Sequence, residues 1–103
     1  MSKQTAATST IQISEESPTL MVAMELGETG WLLGFASAYG QRPLRRKIAT
    51  RDQKALLHEI EWARGKLGLE AEARVVSCYE AGRDGFWLHR FLVAQGVESL
   101  VVD

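Results

Sequence analysis

Cysteine and proline are scarce in this chain, and long apolar runs are missing. Cys78 is the only cysteine among 103 residues, which excludes an internal disulfide framework and a Cys-rich zinc site and predicts a reducing, cytoplasmic location. No apolar run approaches the roughly 20 residues that a membrane-spanning helix needs. The N-terminus has no basic region followed by an apolar stretch, so we expect neither a membrane partner nor a secretory signal.

The remaining composition is that of an ordinary globular protein. Hydrophobic residues make up 46% and charged residues 24% of the chain, which argues against disorder and against a fibrous repeat. Residues 1–18 are rich in Ser and Thr and are closed by Pro18, so we predict a flexible tail there. Residues 19–103 then form one domain with one modest core.

Charge is balanced overall but not locally. The formal net charge is -1, so no global field indicates a nucleic-acid partner. One segment nevertheless carries six basic residues and a single acidic one, Asp52. Such a cluster is either a phosphate contact or a solvated strand edge that resists pairing with neighbours. The basic residues are Arg42, Arg45, Arg46, Lys47, Arg51 and Lys54.

Three strands are predicted in the first half of the domain. The near-continuous apolar run from Leu20 to Met24 is typical of a strand covered on both faces. A Gly-rich turn at 27–30 separates it from a second strand, 31–36, and the two should form an antiparallel hairpin. A third strand, from about Pro43 to Ala49, has the proline and the basic side chains of an edge strand.

The second half alternates helices with strands. Thr50 and Gln53 have the spacing of a capping box, an apolar stripe follows, and Gly68 should end this first helix. A strand at 74–79, in which Cys78 is expected to be a small core residue, a helix at 84–95 and a strand at 99–102 complete the pattern. The order β-β-β-α-β-α-β predicts an α/β fold with a mixed sheet, whose last β-α-β unit is a right-handed crossover.

Two carboxylates stand at the ends of apolar strands. Glu25 follows the first strand and Glu80 the fourth. If these strands are neighbours, the carboxylates converge at one end of the sheet, an arrangement that holds hard cations such as Mg²⁺ for phosphoryl transfer. Alternatively, each carboxylate ends its strand and faces water. The loop from Gly82 to Gly85 leaves open a third interpretation, a small-molecule binder that holds an anion at a helix start.

Specific residues around Glu80 resemble one family. The element order, with an acid ending the first and fourth strands, matches the RNase H-like fold. The stretch Cys78-Tyr79-Glu80-Ala81-Gly82, with Leu88-His89-Arg90 in the following helix and Val101-Val102 in the last strand, closely resembles the N-terminal catalytic domain of the DEDD transposases. These insertion-sequence recombinases have a domain similar to Holliday-junction resolvases. The resemblance covers Leu20 to Asp103.

The resemblance implies Mg²⁺-dependent cleavage and transfer of DNA strands. In that family four acids hold Mg²⁺: an Asp in the first strand, the Glu of the Tyr-Glu-Ala-Gly stretch, and two Asp residues on a later helical segment. Glu80 matches the second acid, and Glu25, with one extra methylene, falls where the first belongs. Because the sequence stops at Asp103, before the positions of the last two acids and of the second domain with its serine nucleophile, we expect the RNase H-like domain to be truncated after the fifth strand. We expect no nuclease activity from this chain alone.

The resemblance also implies partners. DNA, and a structured guide RNA such as these elements use, would contact the basic third strand, and we expect a homo-oligomer. An alternative remains that the chain is a non-catalytic RNase H-like remnant serving as a nucleic-acid-binding or dimerisation module. The predicted nucleic-acid contacts are Arg42, Arg45, Arg46 and Lys47.

Overall fold

Residues 18–82 and 84–102 are described by a computed structural model of the chain. They form five strands and two helices in the predicted order. The elements are β1 (Leu20–Leu26), β2 (Trp31–Ala36), β3 (Leu44–Ile48), α1 (Gln53–Lys66), β4 (Val75–Glu80), α2 (Gly85–Ala94) and β5 (Glu98–Val102). The predicted tail, apart from Pro18, lies outside the described residues.

The five strands form one mixed sheet in the order β3-β2-β1-β4-β5. β2 pairs antiparallel with both β1 and β3, as the hairpin prediction requires. β4 pairs parallel with β1, and β5 pairs parallel with β4. The prediction of an α/β fold with a mixed sheet is therefore confirmed, and β3 lies at an edge as expected. The topology also makes β1 and β4 neighbours.

Both helices contribute to a single core on one face of the sheet. Alternate residues of the strands, such as Trp31 and Phe35 in β2, are buried together with Leu56 of α1 and Leu88 and Leu92 of α2. Side chains alternate between the two faces of a strand, so the residues between them lie on the opposite face. None of the described helices is long and apolar enough to cross a bilayer.

Two expectations about burial are wrong. β1 is covered on one face only among the described residues, since Ala23 and Glu25 between its buried residues are exposed. Cys78 is exposed as well, not a core residue, and it lies between Ala23 of β1 and Leu100 of β5. Ala23, Cys78 and Leu100 are exposed although they are small or apolar, so the period of two that reveals a half-covered strand is hidden in this part of the sequence.

The start of α1 also differs from the prediction. Asp52 is the N-cap residue, and its Oδ1 accepts a hydrogen bond from the Ala55 N–H at 3.0 Å. The Thr50 hydroxyl instead donates to the Gly27 carbonyl oxygen at 2.9 Å, so the expected capping box is absent. The end of α1 is as predicted, because Gly68 follows the C-cap residue with a φ of 72°, the left-handed conformation that glycine adopts without strain.

Candidate functional site

The face of the sheet opposite the helices is here called the open face. It carries both candidate carboxylates and two of the four predicted nucleic-acid contacts. Partners in register lie on the same face, so the strand pairings define its members. Most residues of the open face line an open depression of about 1120 Å³. The residues of this face are Met21, Ala23 and Glu25 of β1, Leu32, Gly34 and Ala36 of β2, Arg45 and Lys47 of β3, Val76, Cys78 and Glu80 of β4, and Glu98, Leu100 and Val102 of β5.

Glu25 and Glu80 lie side by side at one end of this face. Met24 is in register with Tyr79 across the parallel β1–β4 pair, and the two glutamates each come one position later. Neighbouring strands are about 4.8 Å apart, and both side chains are exposed and line the depression. The structure thus meets the condition under which the two carboxylates were expected to converge.

The donor set of this pair suits a hard cation that keeps part of its water shell. Mg²⁺ is commonly bound through one or two carboxylates, with water and substrate phosphates as its other ligands. Across residues 18–82 and 84–102, His, Cys, Asp and Glu side chains form no group of three that could hold a metal ion. The pair therefore offers an open, two-carboxylate site, and not a closed protein cage.

The four predicted nucleic-acid contacts are divided between the two faces. Arg46 lies on the helix side, where its Nε donates to Glu59 Oε1 at 2.6 Å and its guanidinium carbon is 4.1 Å from the Trp62 ring centroid. The hydrogen bond to Glu59 raises the pKa of Arg46 above its usual value. Arg45 and Lys47 are exposed on the open face, next to Gly34 and Leu32 respectively.

Lys47 and the carboxylate pair share one row across the sheet. Lys47 is in register with Leu32, and Leu32 with Glu25. Two strand spacings separate Lys47 from Glu25, a distance of about 10 Å between backbones. Arg42 is exposed in the connection between β2 and β3. A basic strip, made of Arg45 and Lys47, therefore flanks the carboxylates on their own face.

Sequence reasoning missed a set of contacts beside the carboxylates. Asp84, at the start of α2, is 3% exposed, and its Oδ1 accepts hydrogen bonds from Arg51 Nε at 2.9 Å and from Trp87 Nε1 at 3.2 Å. Nearby, the Tyr79 hydroxyl donates to the Gly85 carbonyl oxygen at 2.6 Å, and burial raises the pKa of Tyr79 above its usual value. No local spacing connects Arg51 with Asp84, so only the topology reveals this contact.

Comparison with known proteins finds a similar curated sequence. No family model matches the chain. A curated protein of Sinorhizobium fredii (strain NBRC 101917 / NGR234), named "Putative transposase y4rJ", is 35% identical over 91 residues. The match covers 82% of this chain and 22% of that protein. The chain therefore spans about a fifth of the length of the curated relative that it matches.

Proposed function

We propose that this chain is the N-terminal, RNase H-like part of a DEDD-type transposase, acting in Mg²⁺-dependent DNA strand cleavage and transfer during transposition. The similarity to a protein named as a transposase supports the transposition-related part of this proposal. The observation that carries the chemical part is the position of Glu25 and Glu80. Both are exposed at the carboxyl ends of neighbouring parallel strands, on one face.

In the proposed site, the two carboxylates hold the cation and the basic strip holds the nucleic acid. Mg²⁺, when bound, supplies Lewis-acid stabilisation of a phosphoryl oxygen and a template for phosphoryl transfer. Glu25 and Glu80 contribute oxygen ligands to it. Arg45 and Lys47 neutralise backbone phosphates of a strand that crosses the open face toward the carboxylates. Because this division of labour needs further ligands for catalysis, the chain by itself should bind and not cleave.

Cation binding tests the carboxylate pair directly. We expect Mn²⁺, used as a paramagnetic probe for Mg²⁺ sites, to bind weakly, and Glu25→Gln or Glu80→Gln to weaken that binding at least about tenfold, because each removes a charged ligand. Electron paramagnetic resonance of free Mn²⁺ measures the affinity. Glu72→Gln removes the same charge from an exposed loop position and should leave it unchanged. Equal Mn²⁺ affinities for all four proteins would contradict the proposed site.

Nucleic-acid binding tests the basic strip. We expect Arg45→Ala and Lys47→Ala each to weaken binding of duplex DNA and of a hairpin RNA. Each should also make the negative slope of log affinity against log salt shallower by about 1, because one side chain no longer neutralises a phosphate. Fluorescence anisotropy over a salt series measures both quantities. Lys66→Ala, which removes an exposed charge at the end of α1, is the control. If Lys66→Ala weakens binding as much as Lys47→Ala does, the strip does not bind the nucleic acid.

A second candidate function is a non-catalytic nucleic-acid-binding or dimerisation module. The observation that favours it is the absence, within the described residues, of a third metal-ligating side chain near the pair. Nucleic-acid binding by the basic strip without any Mn²⁺ binding would support this alternative. An apparent mass that rises with concentration in sedimentation equilibrium would show self-association. It would support a dimerisation module and also the homo-oligomer expected from the sequence.

A further inference from the structure

One short segment is hydrogen-bonded to the chain just beyond both proposed cation ligands. This segment is the β3–α1 connection, residues 49–52. The Thr50 hydroxyl donates to the carbonyl oxygen of Gly27 at 2.9 Å, two residues after Glu25. Arg51 Nε donates to Asp84 Oδ1 at 2.9 Å, four residues after Glu80. Two adjacent side chains thus connect the end of β1 with the end of β4.

The Asp84 end of this connection is fixed in the core. The Asp84 side chain is 4% exposed, and burying a carboxylate is costly unless it is paired and hydrogen-bonded. Besides Arg51, Trp87 Nε1 donates to the same oxygen, and the Trp87 ring stacks on Trp31 with centroids 6.2 Å apart. Arg51 therefore binds a group that cannot move without disturbing the packing beneath the sheet.

The backbone of Arg51 has an unusual conformation for a residue that carries a side chain. Its φ is 63°, and it is the only non-glycine residue with positive φ in the described part of the chain. The left-handed region is unfavourable for residues with a Cβ, and glycine would occupy it without strain. Such outliers persist where surrounding contacts determine the conformation. Here those contacts are the turn hydrogen bond from the Asp52 N–H to the Ala49 carbonyl oxygen at 3.2 Å, together with the side-chain hydrogen bonds of Thr50 and Arg51.

We propose that Thr50 and Arg51 form a clasp that fixes the separation between Glu25 and Glu80, which makes Arg51 and its partner Asp84 positioning residues for the cation. The inference rests on the proposed function of the carboxylate pair. Ligands of a metal must be held within about half an ångström of their productive positions, and both glutamates stand near the ends of their strands. Side chains that hydrogen-bond directly to metal ligands typically change metal affinity 10–100-fold when replaced. Thr50 and Arg51 act through Gly27 and Asp84, so we expect an effect at the lower end of that range.

Arg51→Gln and a matched variant test the clasp. We expect Arg51→Gln to weaken Mn²⁺ binding about tenfold. Arg74→Gln breaks an ion pair with Glu98 in which both side chains are exposed, near the amino ends of β4 and β5. The two arginine side chains are similarly exposed, 51% and 54%, yet Arg74 contacts neither carboxylate-bearing end. Its replacement should change Mn²⁺ affinity less than twofold.

Two further variants separate positioning from folding. Arg51→Gly removes the side chain and relieves the strained backbone, and Thr50→Val removes only the hydroxyl that reaches Gly27. Each should keep the wild-type circular dichroism spectrum and still bind Mn²⁺ several-fold more weakly. Wild-type Mn²⁺ affinity in folded Arg51→Gly and Thr50→Val would overturn the clasp.

A metal-free measurement distinguishes failure of the clasp from failure of the proposed function. The ¹³C carboxyl resonances of Glu25 and Glu80 report their surroundings without any cation. If the clasp exists in the wild-type protein, these resonances should shift in Arg51→Gln and stay in place in Arg74→Gln. If wild-type protein binds no Mn²⁺, the proposed cation site fails, and these resonances still decide the clasp: no shift in Arg51→Gln overturns it.

Discussion

At the residue scale, Ser77 places a polar side chain in the hydrophobic core. It lies in β4 on the helix side, in register with the buried Val22 of β1, and is fully buried. Its hydroxyl has no hydrogen-bond partner among the described residues. A buried hydroxyl without a partner costs about 1–3 kcal/mol, which makes Ser77 a weak point of the core.

Removing that hydroxyl should stabilise the protein. We expect Ser77→Ala to raise the free energy of unfolding by about 1 kcal/mol, because the desolvation cost disappears with the oxygen. Urea denaturation followed by circular dichroism measures the change. The control is Ser37→Ala, at a serine that shares hydrogen bonds with Gln41 in an exposed turn. A loss of stability in Ser77→Ala would show that the hydroxyl has a partner in solution.

Individual residues of the site were predictable to different degrees. Glu25 and Glu80 could be selected because each ends an apolar run. That Arg45 and Lys47 share a face, with Arg46 opposite, follows from the period of two once Ile48 is known to be buried. The contact between Arg51 and Asp84 could not be predicted, because it depends on how two distant connections meet. The same holds for the positive φ of Arg51.

At the element scale, the start of α1 shows most clearly where prediction from local sequence fails. Thr50 with Gln53 has the pattern of a capping box, but the side chain that caps the helix is Asp52. Local sequence could not decide between these residues, because the decision depends on Gly27, a residue of the β1–β2 turn that accepts the Thr50 hydroxyl. The tertiary contact between Thr50 and Gly27 therefore replaced the capping box that the local sequence allows.

Substitutions at these positions should separate the two descriptions of the cap. Asp52→Ala should lower the free energy of unfolding by about 1 kcal/mol, because the Ala55 N–H loses its acceptor. Gln53→Ala should change it by less than about 0.5 kcal/mol, as is usual for an exposed position. Urea denaturation of both variants measures the difference. The reverse ranking would favour the capping box.

On the scale of the whole molecule, the sheet is covered on one side only within the described residues. Its strand boundaries were predictable from glycine-rich turns and apolar runs, whereas one-sided coverage was not, because Ala23, Cys78 and Leu100 on the open face resemble core residues in sequence. Neighbouring residues of β2 show the contrast: Leu33 is 1% exposed and Leu32 is 47% exposed.

Identical substitutions at these neighbours should have very different effects. Leu33→Ala should destabilise the protein by about 2–5 kcal/mol, because it opens a cavity under the helices. Leu32→Ala should cost less than about 1 kcal/mol, since half of that side chain is already in water. Thermal or urea unfolding of the pair measures the contrast. Comparable losses at both positions would mean that the open face is covered in solution.

The parallel pairing of β1 with β4 has a consequence for synthesis on the ribosome. Leu20 is in register with Val75, which is translated 55 residues later, or roughly 3–10 s at ordinary elongation rates. Through that interval the growing chain can complete the β1–β2–β3 meander, but one side of β1 has no strand to pair with. An unpaired strand edge is a template for association with other chains. The arginines and the lysine of β3 protect the far edge of the meander, so the nascent protein is most prone to aggregate through β1, until β4 emerges.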